Sequence, residues 1–233
     1  MPKSVSTTSP SVFAYIVTTV GPGYKLRGVV PWVSAGKVFF GPCKKRMRPH
    51  LKPGDYVMGI SGSGAGHPRR VLLWMRVDER MTFKEAYNRG EKDKVFRALR
   101  GTAIHVRPLE VTVHVAGDPN CYEHIPGAPH EDEWKSDLKG KRDVFLKGGA
   151  DSWVAEADGP KVTQRLIELL KEGITWKGLT TLENPLTKNA RGKHACVTGR
   201  GANQIISWVP QISMQSVSAE HLCSACARKC SCE

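Results

Sequence analysis

Three runs of strand-forming residues constrain this chain more than anything else in it. They are Ser11 to Val20, "SVFAYIVTTV", Tyr56 to Ile60, "YVMGI", and Val71 to Val77, "VLLWMRV". Their β-branched, aromatic and aliphatic content reads as buried strand. Pro53-Gly54-Asp55 is a turn feeding the second run, with proline fixing φ and glycine supplying unusual angles. The short Gly–Ser connection Ser61 to Gly66 predicts that the second and third runs pair antiparallel, with Val71–Val77 central.

Further along, Thr82 to Asn88 begins a short helix, where Thr82 and Glu85 fit a capping box. Val111 to Val115, "VTVHV", predicts another strand, with His114 facing away from Val113 and Val115. Residues 117–140 are polar and turn-rich. Asp143 to Leu146 predicts a short strand before Gly148-Gly149. From Pro160 to Lys171, apolar residues at helical spacing predict a core-packing helix closed by Gly173. "ANQIISWV", Ala202 to Val209, reads as a last strand. Strands first and helix later favour an α+β fold around a mostly antiparallel sheet, open or barrel-like, with a few packed helices. The chain divides into a flexible N-terminus (1–10), a single α+β domain (11–215) and a Cys-rich tail (216–233). A core of this size needs no disulfides.

Charge narrows the function. Residues 1–100 carry 19 Lys and Arg against 6 Asp and Glu, while residues 101–233 carry 16 of each. The whole net charge of +13 therefore lies in the first hundred residues. A surface of that kind suits phosphates, so DNA or a nucleotide is the expected partner. No stretch approaches a membrane span, and Met1-Pro2-Lys3-Ser4 lacks the apolar core of a secretion signal. The expected compartment is the cytoplasm. There is no GxxxxGK[ST] and no dinucleotide fingerprint.

The densest basic run is Lys44, Lys45, Arg46 and Arg48, followed by Lys52; it is expected to be exposed and to grip phosphate. The loop beginning Ser61, Gly62, Ser63 offers backbone N–H groups that can cradle an anion or simply turn a hairpin. Cys43 stands beside these cations, a setting that favours thiolate and makes it a candidate nucleophile; the plainer reading is a small buried residue ending a strand. Asp55 is the second chemical candidate. Trp32, just ahead of the basic run, is the candidate stacker for an extruded base. The histidines and acids of the middle, His105, His114, His124, His130, Glu131, Asp132 and Glu133, together with Cys121, show no recognised ligand spacing, and a solvated polar loop is the simpler reading beside a metal or acid–base site.

The order of these features resembles the nucleotide-modification-associated domain families, most closely the second type, found in bacteria and phages. The matching positions are Cys43, Lys44, Arg48, Gly54, Asp55, Tyr56, Gly62, Ser63, Met75, Arg76, Val77, Phe83, Glu85 and Tyr87. The likeness covers residues 11–90. An Asn-Pro-Phe element ahead of the cysteine is not visible, and Lys45 stands where the family pattern has proline. The resemblance implies a link to nucleic-acid modification in a bacterial cell or one of its phages, without fixing a reaction.

The tail carries Cys223, Cys226, Cys230 and Cys232. Four thiolates so close together can hold zinc in a closed structural site, though zinc ligands more often come as two separated pairs. Cys223 and Cys226 can instead join His194 and Cys196, and an oxidation-prone tail without metal is an equal alternative. Three functions follow in order: a protein that binds nucleic acid or a nucleotide and holds a base beside a basic face; an enzyme that makes or transfers a base modification, with Cys43, Asp55 or the central histidines as its groups; and a defence-linked protein recruited through the cysteine tail.

Overall fold

The computed structural model describes residues 9–17, 22–24, 31–62, 68–111, 113–155, 159–171, 174–175 and 194–209. In chain order the elements are β1 (Val12–Val17), β2 (Trp32–Ser34), β3 (Lys37–Phe40), β4 (Tyr56–Ser61), β5 (Val71–Met81), α1 (Phe83–Arg89), α2 (Lys94–Arg97) and β6 (Val106–Pro108). There follow β7 (Tyr122–His124), α3 (Trp134–Leu138), β8 (Phe145–Gly148), β9 (Trp153–Val154), α4 (Gln164–Lys171), β10 (Ile174–Thr175), β11 (His194–Val197) and α5 (Gly199–Trp208).

One large sheet runs in the order β10-β11-β1-β4-β5-β8-β3-β2, with β9 paired to β5. The fold is α+β and the sheet mostly antiparallel. The exception among its described pairs is β1 beside β4, which run parallel from Val12 opposite Tyr56 to Val17 opposite Ser61. Parallel neighbours cannot be joined by a tight hairpin. Between them the chain builds β2 and β3 at the far edge of the sheet. β10 and β2 stand at opposite ends of the strand order, so the sheet is open; the barrel-like alternative is not what forms.

β5 organises the molecule. Its first half pairs with β4 and its second half with β8, and the register slips between Val77 and Glu79. A slip of this kind bends a strand and increases its twist. The sheet thereby folds over a shared core that takes Phe13, Tyr15, Leu73 and Met75 from one half and Val38, Phe40 and Leu146 from the other. Val12, Ala14 and Ile16 point to the opposite face, where Leu166 and Leu169 of α4 and Ala202 and Ile205 of α5 cover them. Burial on both faces explains why β1 reads as an unbroken apolar run. Phe39 and Phe145 face a third cluster with Phe83 of α1, Phe96 of α2 and Leu138 of α3.

Two expected strands take other forms. Ala202–Val209 lies in and just beyond helix α5: Ala202, Ile205 and Val209 are buried at spacings of three and four, the period of a helix face. Of the expected strand Val111 to Val115, the described residues Val111 and Val113 to Val115 belong to no strand, and Thr112 lies outside the described residues. Val111, Val113 and Val115 are exposed, Val113 at 72%, while His114 sits edge-on to Tyr122 at 4.8 Å. The alternation is present, but the ring, not the valines, is turned inward. No helix among the described residues is long and apolar enough to cross a membrane.

Candidate active site

Cys43 lies three residues past β3. Gly41 permits the approach: a Cβ there would strike the Ala103 backbone. Lys44 then takes a left-handed φ of 59° and turns the chain sharply, and the Met47 and Arg48 amides bond back to its carbonyl. His130, with φ 66°, arrives from a separate turn-rich segment. Only four described non-glycine residues have positive φ, and two of them are Lys44 and His130. Backbone of that kind needs support from its surroundings and concentrates at working sites.

These two turns bring the Cys43 Sγ to 3.3 Å from the His130 Nε2. On the other side of the ring, His130 Nδ1 is 2.7 Å from Asp137 Oδ2. That second contact is close, but it is not an aligned hydrogen bond, and Asp137 Oδ2 has no hydrogen-bond partner among the described residues. A neutral ring with its proton on Nδ1, the nitrogen that faces the carboxylate, has Nε2 as the acceptor for the thiol proton. The thiol, ring and carboxylate are all buried, at 3%, 2% and 1% exposure. This is the order of a nucleophile, a base and an orienting acid.

The surroundings hold the three in place. Lys45 donates to Glu133 Oε2 at 2.8 Å and Ser136 Oγ at 3.0 Å, and its ammonium is 3.9 Å from Asp137 Oδ1. It clamps the cysteine turn to α3. Arg48 lies behind the cysteine, fully buried, and donates to the carbonyls of Pro42, Cys43, Asp137, Arg142 and Val144. Burial pulls its pKa down to about 10, against the pull of Asp137, Cys43 and Asp143, so it remains a cation at neutral pH. His105 packs edge-on to Phe83 and stands 3.9 Å from Asp137 Oδ2. Burial first, then electrostatic repulsion from its neighbours, among them the Arg48 cation, push its pKa well below the ordinary histidine value, so it is neutral.

Several expected phosphate contacts are placed elsewhere. Arg48 is not exposed: five backbone carbonyls satisfy its guanidinium, which makes burial tolerable. Lys45 is committed to the acids of α3, whereas Arg46 and Lys52 are exposed. Ser61 and Gly62 spend their N–H groups on the Arg70 and Val17 carbonyls, so neither is free to cradle an anion. Ser63 lies outside the described residues. Trp32 is buried beside Phe39 in the third cluster and presents no open ring for stacking. Asp55 is buried and accepts from the Ser11 and Lys52 amides, which makes it a turn-holding carboxylate. Cys223, Cys226, Cys230 and Cys232 lie outside the described residues, and among the described ones no group of three metal-ligating side chains can hold an ion. The segment 125–133 is no solvated loop throughout, since His130 is enclosed by Cys43 and Asp137.

Asp137 is the residue that sequence reasoning missed. One signal pointed to it: an acid between Trp134 and Leu138 on the inward side of a short helix, where a charge needs a partner. Comparison with known proteins finds no matching family model, no matching curated protein and no matching solved structure.

Proposed function

We propose that this protein is an enzyme of nucleotide or nucleic-acid modification whose nucleophile is Cys43. The observation that carries the reading is the Cys43–His130–Asp137 arrangement, at 3.3 Å and 2.7 Å. His130 takes the thiol proton, Asp137 holds the ring and balances the imidazolium that forms, and the thiolate attacks an electron-poor carbon of the substrate. Two sequence features support a nucleotide as the substrate. The charge of the first hundred residues attracts phosphates, and the resemblance over residues 11–90 is to families linked with base modification. The reading of a binding protein without chemistry loses ground, because its proposed contacts Arg48, Ser61, Gly62 and Trp32 are committed to the fold.

Mass analysis of nucleosides from cells expressing the protein tests this. A new nucleoside mass is expected, absent with Cys43→Ala and with His130→Ala. A new mass that persists in both variants would contradict the assignment of these residues.

A further inference from the structure

A thiolate that adds to a carbonyl-type carbon needs one group more than a base: a donor for the oxygen that becomes negative. Tyr15 on β1 has the required properties. Its hydroxyl is buried and has no hydrogen-bond partner among the described residues. Buried polar atoms are almost always paired, so an orphan beside a nucleophile calls for an explanation, and a catalytic role is one. The ring lies against the cysteine segment from both sides of the nucleophile. Phe40, three residues before Cys43, packs edge-on to it at 6.0 Å, and the Lys44 ammonium stands 4.8 Å from its centroid. The carbon bearing the hydroxyl passes over Gly59, the residue opposite Tyr15 on β4, where a Cβ would come within 3.4 Å of it. Burial, and secondarily the nearby Cys43, raise the phenol pKa, so the group keeps its proton and stays a donor.

We propose that Tyr15 is a catalytic residue that donates its hydroxyl hydrogen bond to the oxyanion formed when Cys43 adds to a carbonyl carbon, and that the substrate is therefore of acyl, amide or base-carbonyl type. The inference rests on the thiol-nucleophile reading above. In the step, the S–C bond forms, the C=O π pair moves onto oxygen, the thiol proton passes to His130 Nε2, and the Tyr15 O–H bonds to the new O⁻. No oxidant or reductant is consumed.

Two reagents separate this role from a structural one. p-Nitrophenyl acetate acylates a thiol through an oxyanion and releases nitrophenolate; iodoacetamide alkylates by displacement at carbon and forms no oxyanion at the attacked centre. Tyr15→Phe is expected to slow single-turnover release of nitrophenolate by about a hundredfold and to leave the alkylation rate of Cys43 within about twofold of wild type. Its melting temperature should be no lower, because the lost hydroxyl had no partner. An unchanged ester rate, or equal loss with both reagents, overturns the role of Tyr15. If wild type reacts no faster than Cys43→Ala with either reagent, the thiol reading itself fails and this inference falls with it.

Discussion

At the scale of single residues, buried charge and buried rings carry the argument. Arg48 is the clearest case. Its side chain donates to the Pro42 and Cys43 carbonyls of the cysteine turn and to the Asp137, Arg142 and Val144 carbonyls, and so ties the two segments together. Arg48→Ala leaves those acceptors unpaired and is expected to destabilise the fold by about 3–5 kcal/mol, measured by urea unfolding. Arg48→Lys should recover only part of this, since an ammonium cannot fork onto several carbonyls. His105 gives a pH prediction. Its folded pKa lies well below the ordinary value of 6.5, so between the two values the unfolded chain binds the extra proton. Stability contributed by the neutral ring is complete above the unfolded pKa and is lost as pH falls below it, at up to about 1.4 kcal/mol per pH unit. Urea midpoints at pH 7.5 and 5.0 should show this fall, and His105→Gln should flatten it. None of this was legible in the sequence: a run of four cations in five positions looks like a solvated face, and three of the five acceptors that bury Arg48 come from residues some ninety positions away.

At the scale of elements, caps and tight turns are legible in the sequence, while distant pairings and some short apolar runs, such as Ala202–Val209, are not. Thr82 caps α1 by accepting from the Glu85 amide at 3.1 Å, and Glu85 Oε2 accepts from the Thr82 amide at 2.6 Å, as four consecutive residues predict. Thr82→Ala is expected to cost about 1 kcal/mol by thermal or urea unfolding. The antiparallel pairing of β4 with β5 was also legible, because a short turn-rich connection specifies it. The parallel pairing of β1 with β4 depends on contacts across some forty residues, and no local pattern announces it. Gly59 records how tightly that pairing is packed. A Cβ there would lie 2.8 Å from a Val17 methyl and 3.0 Å from the Leu73 Cβ. Gly59→Ala should therefore destabilise by about 1–3 kcal/mol through overpacking. The exposed alternation of Val111, Val113 and Val115 shows the opposite limit: among the described residues the pattern pairs with no strand edge and the valines face outward.

At the scale of the whole molecule, the bent sheet sets the chemistry. One half of β5 belongs to the face covered by α4 and α5, the other to the face covered by α1, α2 and α3, and the cysteine turn leaves β3 where the bent core meets the third cluster. Cys43 and His130 are 87 residues apart, and Asp137 enters on a helix of five residues. The sequence pointed to the thiol and to the ring separately, but only the fold joins them to their acid. The central claim is that His130 makes Cys43 a nucleophile. The most direct measurement is the rate of Cys43 alkylation by iodoacetamide, followed by intact mass, in wild type and His130→Ala across pH 6 to 9.5. Wild type should react at least about tenfold faster at pH 6.5, with the two rates converging at pH 9.5, where an ordinary thiol is already ionised. Coincident profiles across the whole range would contradict the account.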